Sequence, residues 1–196
     1  MSEQTLRLAI IIGSTRNGRF GPTAARWFAE RAAERSDFTV DVIDLAEANL
    51  PERLIDDGDP VPEAVTALAP RLAAADAFVV VTPEYNHSFP ASLKTAIDWY
   101  FDEWSAKPVA FVSYGGISGG LRAVEALRLV FAEVHATTIR ETVSFPNFPD
   151  AFDAEGRPVD AIGPNGAAKA LLDQLAWWAR ALAEARAKRP YSGSAE

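Results

Sequence analysis

The apolar run Ala77–Val81 constrains this chain most. It is valine-rich and has no polar residue in alternation, so it reads as a strand buried on both faces of a parallel sheet. Leu6–Ile12 is a second strand of buried type, and Pro108–Ser113 is a third. Segments with helical spacing stand between them. Pro22–Arg35 puts Ala25, Phe28, Ala29 and Ala32 on one face. Glu63–Ala75, Ala91–Trp104, Gly119–Val134 and Ala167–Lys188 read as further helices. Phe38–Leu45 alternates apolar and polar residues, as a more exposed strand does, and Thr137–Val143 is a weaker strand. Asn49–Pro62 carries Pro51, Gly58, Pro60 and Pro62 and reads as a loop; Ser144–Pro164 reads as irregular. Strands that alternate with helices build βαβ units and a parallel sheet. Right-handed crossovers then leave few topologies.

The bulk properties narrow the function classes. With 196 residues and no obvious linker, one domain over 1–189 with a loose tail at 190–196 is the expectation. There is no cysteine, which excludes disulfides and thiolate metal sites and fits a reducing compartment. No apolar stretch approaches the roughly 20 residues that span a bilayer. Ser2-Glu3-Gln4 is not the basic opening of a signal peptide. A cytoplasmic protein without a membrane partner is expected. The formal net charge of −8 argues against nucleic acid as a partner.

Open α/β sheets bind ligands at the carboxyl ends of their strands. Three loops occupy such positions here. The first, Gly13 to Gly21, holds Ser14, Thr15, Arg16 and Arg19 ahead of a helix. Orphan N–H groups, the helix dipole and arginine suit a phosphate. The Gly-x-Gly-x-x-Gly order of a dinucleotide site is missing. Gly13 and Gly18 have P-loop spacing, but Arg19 and Phe20 replace the lysine and the hydroxyl residue. The second loop is Pro83-Glu84-Tyr85-Asn86-His87-Ser88-Phe89-Pro90. Two prolines stiffen it around a tyrosine and an asparagine, which suits a flat, hydrogen-bonding ligand. The third, Ser113-Tyr114-Gly115-Gly116-Ile117-Ser118-Gly119-Gly120, lets backbone approach a ligand closely.

That third loop also spells Gly-x-Ser-x-Gly between a strand and a helix, the setting of a hydrolase nucleophile. Ser118 stands several residues past the strand, however. Its base would have to be His135, at the far end of the next helix, with no aspartate between them. His87 and His135 make no metal motif.

Gly13-Ser14-Thr15-Arg16, the Pro83–Asn86 box running into Leu93-Lys94-Thr95-Ala96-Ile97-Asp98-Trp99, and Ser113–Gly116 resemble the NADPH-dependent FMN reductase family of quinone, azo and chromate reductases. The resemblance covers nearly the whole chain. It implies a flavodoxin-like three-layer sandwich with a five-stranded parallel sheet in the order 2-1-3-4-5. It also implies FMN as cofactor and NADPH or NADH as co-substrate. Ser14, Arg16 and Arg19 would hold the phosphate within a loop that ends at Phe20. Pro83, Glu84, Tyr85 and Asn86 would line the isoalloxazine, with Asn86 on its polar edge. Ser113, Tyr114, Gly115 and Gly116 would approach the ring from the other side. No catalytic side chain is assigned, because the flavin carries the redox chemistry. A small-molecule acceptor such as a quinone or free flavin follows, with a non-catalytic electron-transfer protein as the alternative. The resemblance further implies a homodimer or homotetramer. The aromatics Trp99, Tyr100, Phe101 and Trp104 fall on more than one helical face, so Leu93–Trp104 is expected to contribute to that contact. Trp177 and Trp178 lie about 100° apart on the last helix and need a broad contact to be buried together.

Overall fold

The computed structural model describes residues 5–56 and 58–191. Five strands, β1 (Leu6–Ile12), β2 (Phe38–Asp44), β3 (Ala77–Pro83), β4 (Pro108–Tyr114) and β5 (Thr137–Phe145), form one sheet. All pairings are parallel, in the order β2-β1-β3-β4-β5. The helices are α1 (Gly21–Ala33), α2 (Leu45–Ala48), α3 (Glu63–Ala74), α4 (Ala91–Trp99), α5 (Leu121–Glu133), α6 (Phe148–Ala151) and α7 (Ile162–Lys188).

Strand alternation sorts the core into two layers. Leu8, Ile10 and Ile12 of β1 join Val79 and Val81 of β3 under α1 and α7. Ala9 and Ile11 join Phe78 and Val80 under α3, α4 and α5. Every residue of β3 and β4 is buried, which explains why they are apolar but for Thr82 and Ser113, whose hydroxyls donate to backbone carbonyls. This is the expected three-layer, flavodoxin-like sandwich.

Several boundaries differ from the sequence reading. The helix expected over Ala91–Trp104 stops at Trp99, where Tyr100 turns to extended backbone. Trp104 therefore is not part of a subunit surface. It is 1% exposed, lies 4.7 Å from the Phe78 ring and 5.6 Å from Phe131, and donates its indole N–H to the Ile97 carbonyl at 3.3 Å. Trp177 is 63% exposed and packs edge-on against half-buried Trp178 at 5.2 Å. The stretch read as irregular contains α6, the end of β5 and the first turn of α7. Pro164 is tolerated there because first-turn amides have no intrahelical acceptor. The short helix α2 went unread; Asp44 caps it by accepting from the Ala46 amide at 3.0 Å. Of the expected tail, residues 192–196 lie outside the described residues. Among the described residues, no helix is long and apolar enough to cross a membrane.

Lys107 is a buried cation directly before β4. It donates to the Leu72 and Ala73 carbonyls at 3.0 and 2.8 Å, closing the C-terminus of α3. Burial, with Arg186 nearby, pulls its pKa down to about 8. The unfolded chain keeps that proton up to about 10.5, so stability rises as pH climbs through this window. Buried Tyr100, held up to about 12, reverses the trend once the unfolded tyrosine ionises. Lys107→Met should remove the rise. The stability gap between wild type and variant should grow by about 1–2 kcal/mol from about pH 8 to about pH 10, as read by urea unfolding at each pH.

Candidate functional site

The ladder β1–β3–β4 sets the three loops side by side. Ile12 pairs with Val81, and Pro83 with Tyr114, so all three chains leave the sheet at one level. The first loop is tied down at its start. The Gly13 amide donates to the Val81 carbonyl at 2.9 Å, and the Gly13 carbonyl accepts from Ser92 Oγ at 2.7 Å. A Cβ on Gly13 would lie 3.3 Å from both Leu93 and the Val81 carbonyl, which is why a glycine fits this junction. Ser14 is fully buried and shares a 2.6 Å hydrogen bond with the Tyr85 hydroxyl, joining the first loop to the second.

Beyond Ser14 the loop holds many unspent donors. Among the described residues, the amides of Thr15, Asn17, Gly18 and Phe20 donate to no acceptor, and the Arg16 guanidinium has no partner. The helix that follows starts with Gly21 and Pro22 and has no side-chain cap. Unpaired amides at a helix N-terminus, next to a free guanidinium, form an anion cradle. Arg19 is different. Its guanidinium is ion-paired with Asp44 at the end of β2, and so braces the loop against α2. Phe20 is also inward. Its ring lies 5.2 Å from Tyr114, 5.0 Å from Phe148 and 4.9 Å from Phe152.

The second loop turns tightly. Tyr85 and Ser88 exchange backbone hydrogen bonds of 2.8 and 3.0 Å, and the two residues between them have positive φ, Asn86 at 47° and His87 at 74°. This is the geometry of a type I′ turn, in which the second position favours glycine. The turn leaves the Asn86 carboxamide exposed and without a partner among the described residues. Glu84 points the other way, into the third loop: it accepts from Ser118 Oγ at 2.7 Å and pairs with Arg122.

The third loop is held by hydroxyls from β4 and β5. Ser113 and Ser144 both donate to the Gly119 carbonyl, at 2.8 and 2.9 Å. Gly120 has φ 88°, and a Cβ there would come within 2.7 Å of Ser113. Gly116, in contrast, has no atom within 4 Å of a Cβ position, so its face is open to a ligand. Tyr114 is buried against Phe20. Burial raises its pKa, helped by Tyr85 and opposed by Arg16 and Arg19.

The structure thus gathers Ser14, Arg16, Tyr85, Asn86, Gly115 and Gly116 at one rim. It turns the side chains of Arg19, Phe20, Glu84, Ser113 and Tyr114 towards protein partners. Beside the cradle lies a cleft of about 610 Å³, bordered by Thr15, Arg16 and Tyr85 and closed by Leu45, Asn49 and Leu50. The last three were missed in the sequence. The available signal was Asp44, a good N-cap directly before Leu45. Ser118 and His135 do not meet. They lie at opposite ends of α5, whose 13 residues rise about 20 Å. Among the described residues, no cluster of possible metal ligands occurs.

A parallel sheet of this order, with an anion cradle and an open glycine loop on its carboxyl edge, defines a flavodoxin-like ligand-binding protein. Residues 6–150 match the family described as NADPH-dependent FMN reductase, and the chain belongs to that family. An NAD(P)H-dependent FMN reductase of Schizosaccharomyces pombe is 38% identical over 124 residues, which cover 59% of this chain and 61% of that one. A 2-hydroxy-1,4-benzoquinone reductase of a Burkholderia species is 30% identical over 182 residues, 89% of this chain and 97% of its own. Among solved structures, the flavoenzyme NAD(P)H:(acceptor) oxidoreductase FerB of Paracoccus denitrificans superposes with a TM-score of 0.69 at 26% identity. That match covers 87% of this chain and 97% of FerB.

The turn supplies a test of the site's local strain. A β-branched residue at the His87 position costs most in left-handed backbone. His87→Val should lower stability by about 1–2 kcal/mol, whereas His87→Gly should not lower it. Thermal unfolding of both variants checks this, and equal losses would rule out the strained turn.

Proposed function

We propose that this rim binds FMN, and that the chain passes reducing equivalents from NADPH or NADH through it to a quinone, a free flavin or a similar small acceptor. The chain is an oxidoreductase of the FMN reductase type. The observation that carries the binding assignment is the row of unspent amides beside the partnerless Arg16. Thr15, Arg16, Asn17 and Gly18 are exposed just ahead of α1, so the loop amides and the Arg16 guanidinium are open to an incoming anion, which the helix dipole also favours. Bound flavin supplies the hydride and electron chemistry.

The protein's residues bind and orient. Arg16 and the loop amides grip the phosphate. Ser14 and Tyr85, through their shared bond, fix the distance from the phosphate to the ring. Asn86 offers its carboxamide to the polar edge of the ring, and open Gly116 lets backbone lie against it. Arg19 shapes the cradle from behind through Asp44. No protein acid or nucleophile is required, and positioning is the whole contribution. The electron-transfer alternative has no observation of its own, because every feature of the site serves the flavin in either case.

Assembly as a homodimer or homotetramer is also part of the proposal. With Trp104 in the core, the exposed apolar side chains that support it are Trp177 on α7 and Leu129 on α5. Light scattering that shows a monomer at micromolar concentration would refute it. A cytoplasmic location is proposed on the absence of cysteine alone.

Arg16→Ala should weaken FMN by about 1.5–3 kcal/mol, the scale of a charged hydrogen bond. Riboflavin, which lacks the phosphate, should lose far less. Equal losses would remove the phosphate from the cradle. Catalysis is tested separately: FMN-loaded wild type is mixed anaerobically with NADPH or NADH, and the visible flavin band is followed. Bleaching is expected, and a band that persists with both nucleotides would refute the reductase reading.

A further inference from the structure

Helix α5 begins at the third loop, and its own N-cap is Gly120, which has no side chain to offer. Its orphan amides still need an acceptor. The acceptor comes from another loop. Glu84, on the turn after β3, takes the Arg122 amide at 3.2 Å and the Arg122 guanidinium at 2.8 Å. The same carboxylate accepts from Ser118 Oγ at 2.7 Å. An anion at a helix N-terminus is also favoured by the helix dipole.

We propose that Glu84 is a positioning residue for the flavin site: it caps α5 from the second loop and thereby sets the width of the slot between the second and third loops. The proposal rests on the FMN reading above. It assigns Glu84 and Ser118 a role that needs no contact with the ring. It also accounts for the hydrolase-like motif, since the Ser118 hydroxyl is committed to Glu84.

The surrounding geometry makes Glu84 the tie on this side. The opposite flank of the third loop is pinned to the β5 side. Asn147 and Phe148 donate their amides to the Gly116 and Gly115 carbonyls at 2.9 and 3.2 Å, and Ser144 holds Gly119. On the β3 side, past the ladder bond from the Glu84 amide to the Tyr114 carbonyl, the hydrogen bonds to the Gly116–Arg122 stretch among the described residues are those of the Glu84 carboxylate. A Cβ on Gly115 would stand 3.6 Å from Glu84 Cβ, so the two loops touch at this point. The Glu84 side chain is 9% exposed, whereas Arg122 is 50% exposed. The carboxylate is thus screened from water while its partner is not. Burial pushes the Glu84 carboxyl up, but its bonds to Ser118 and Arg122 outweigh burial and hold it below the ordinary range.

The test uses the whole chain and two ligands. Dissociation constants for FMN and riboflavin are measured by flavin fluorescence, alongside the visible spectrum of the bound flavin and the melting temperature. Glu84→Ala should weaken both ligands by the same factor, about tenfold, because the slot and not the phosphate cradle is loosened. The bound-flavin spectrum should shift. Glu84→Gln should retain part of the affinity, since its amide oxygen still accepts from Ser118 and the Arg122 amide. Ser118→Ala, which keeps the ion pair, should show a smaller loss, again equal for both ligands, and serves if Glu84→Ala does not fold. A lowered melting temperature with unchanged affinities and spectrum would reduce Glu84 to a stabilising cap and overturn the proposal. A loss confined to FMN would also overturn it. A wild-type chain that binds neither ligand would instead bring down the functional reading itself, and the positioning role with it.

Discussion

The pairing of β3 with β1 on one side and β4 on the other governs everything else in this protein. All seven residues of β3 are buried, and its side chains feed both core layers. Each buried valine contributes on the order of 1.5–3 kcal/mol, so the strand is anchored from both faces. Parallel ladders have a fixed register once one face is set, because a slip of one residue would exchange the two faces. That register delivers the first, second and third loops to a common rim. Without it, the donor-rich loop after β1 and the stiff turn after β3 would be unrelated features.

Within that frame the loops divide their labour by where they spend donors. The first loop leaves its amides and Arg16 unspent. The second spends its backbone on a tight turn and leaves Asn86 free. The third spends Ser113 and Ser118 on itself and its neighbours, is held from β5 by Ser144, and leaves Gly116 open. In the proposed site the unpaired groups are those offered to a ligand, and the paired groups hold the shape. Arg19 and Arg16 show the contrast. They are three residues apart on one loop, yet one is bonded to Asp44 and the other is free.

The aromatic residues follow a similar division. Phe20, Tyr114, Phe148 and Phe152 form a wedge under the rim, which joins the first loop to the segment after β5. The wedge explains why a phenylalanine stands directly before α1, where a capping residue would otherwise be favoured. Its ring is worth more as packing than a hydroxyl would be as a cap. Trp104 fills the other layer between Phe78 and Phe131. Its burial follows from the early end of α4, since the chain must turn inward after Tyr100 to reach β4.

The sequence alone determined the βαβ alternation, because a run such as Ala77–Val81 has only one comfortable environment. It determined the three loops at the carboxyl ends of β1, β3 and β4 too, because glycine, proline and arginine act locally there. The tertiary structure decided which side chains in those loops are available. Arg19 is claimed by Asp44, which is 25 positions away along the chain and adjacent only through the β1–β2 register. Glu84 is claimed by a helix that begins beyond β4, and Trp104 by Phe78 of β3, Phe131 of α5 and the Ile97 carbonyl of α4. Local sequence carries propensity and periodicity. It does not carry the long-range pairings that assign a charged or aromatic side chain to a ligand, to a neighbour or to the core.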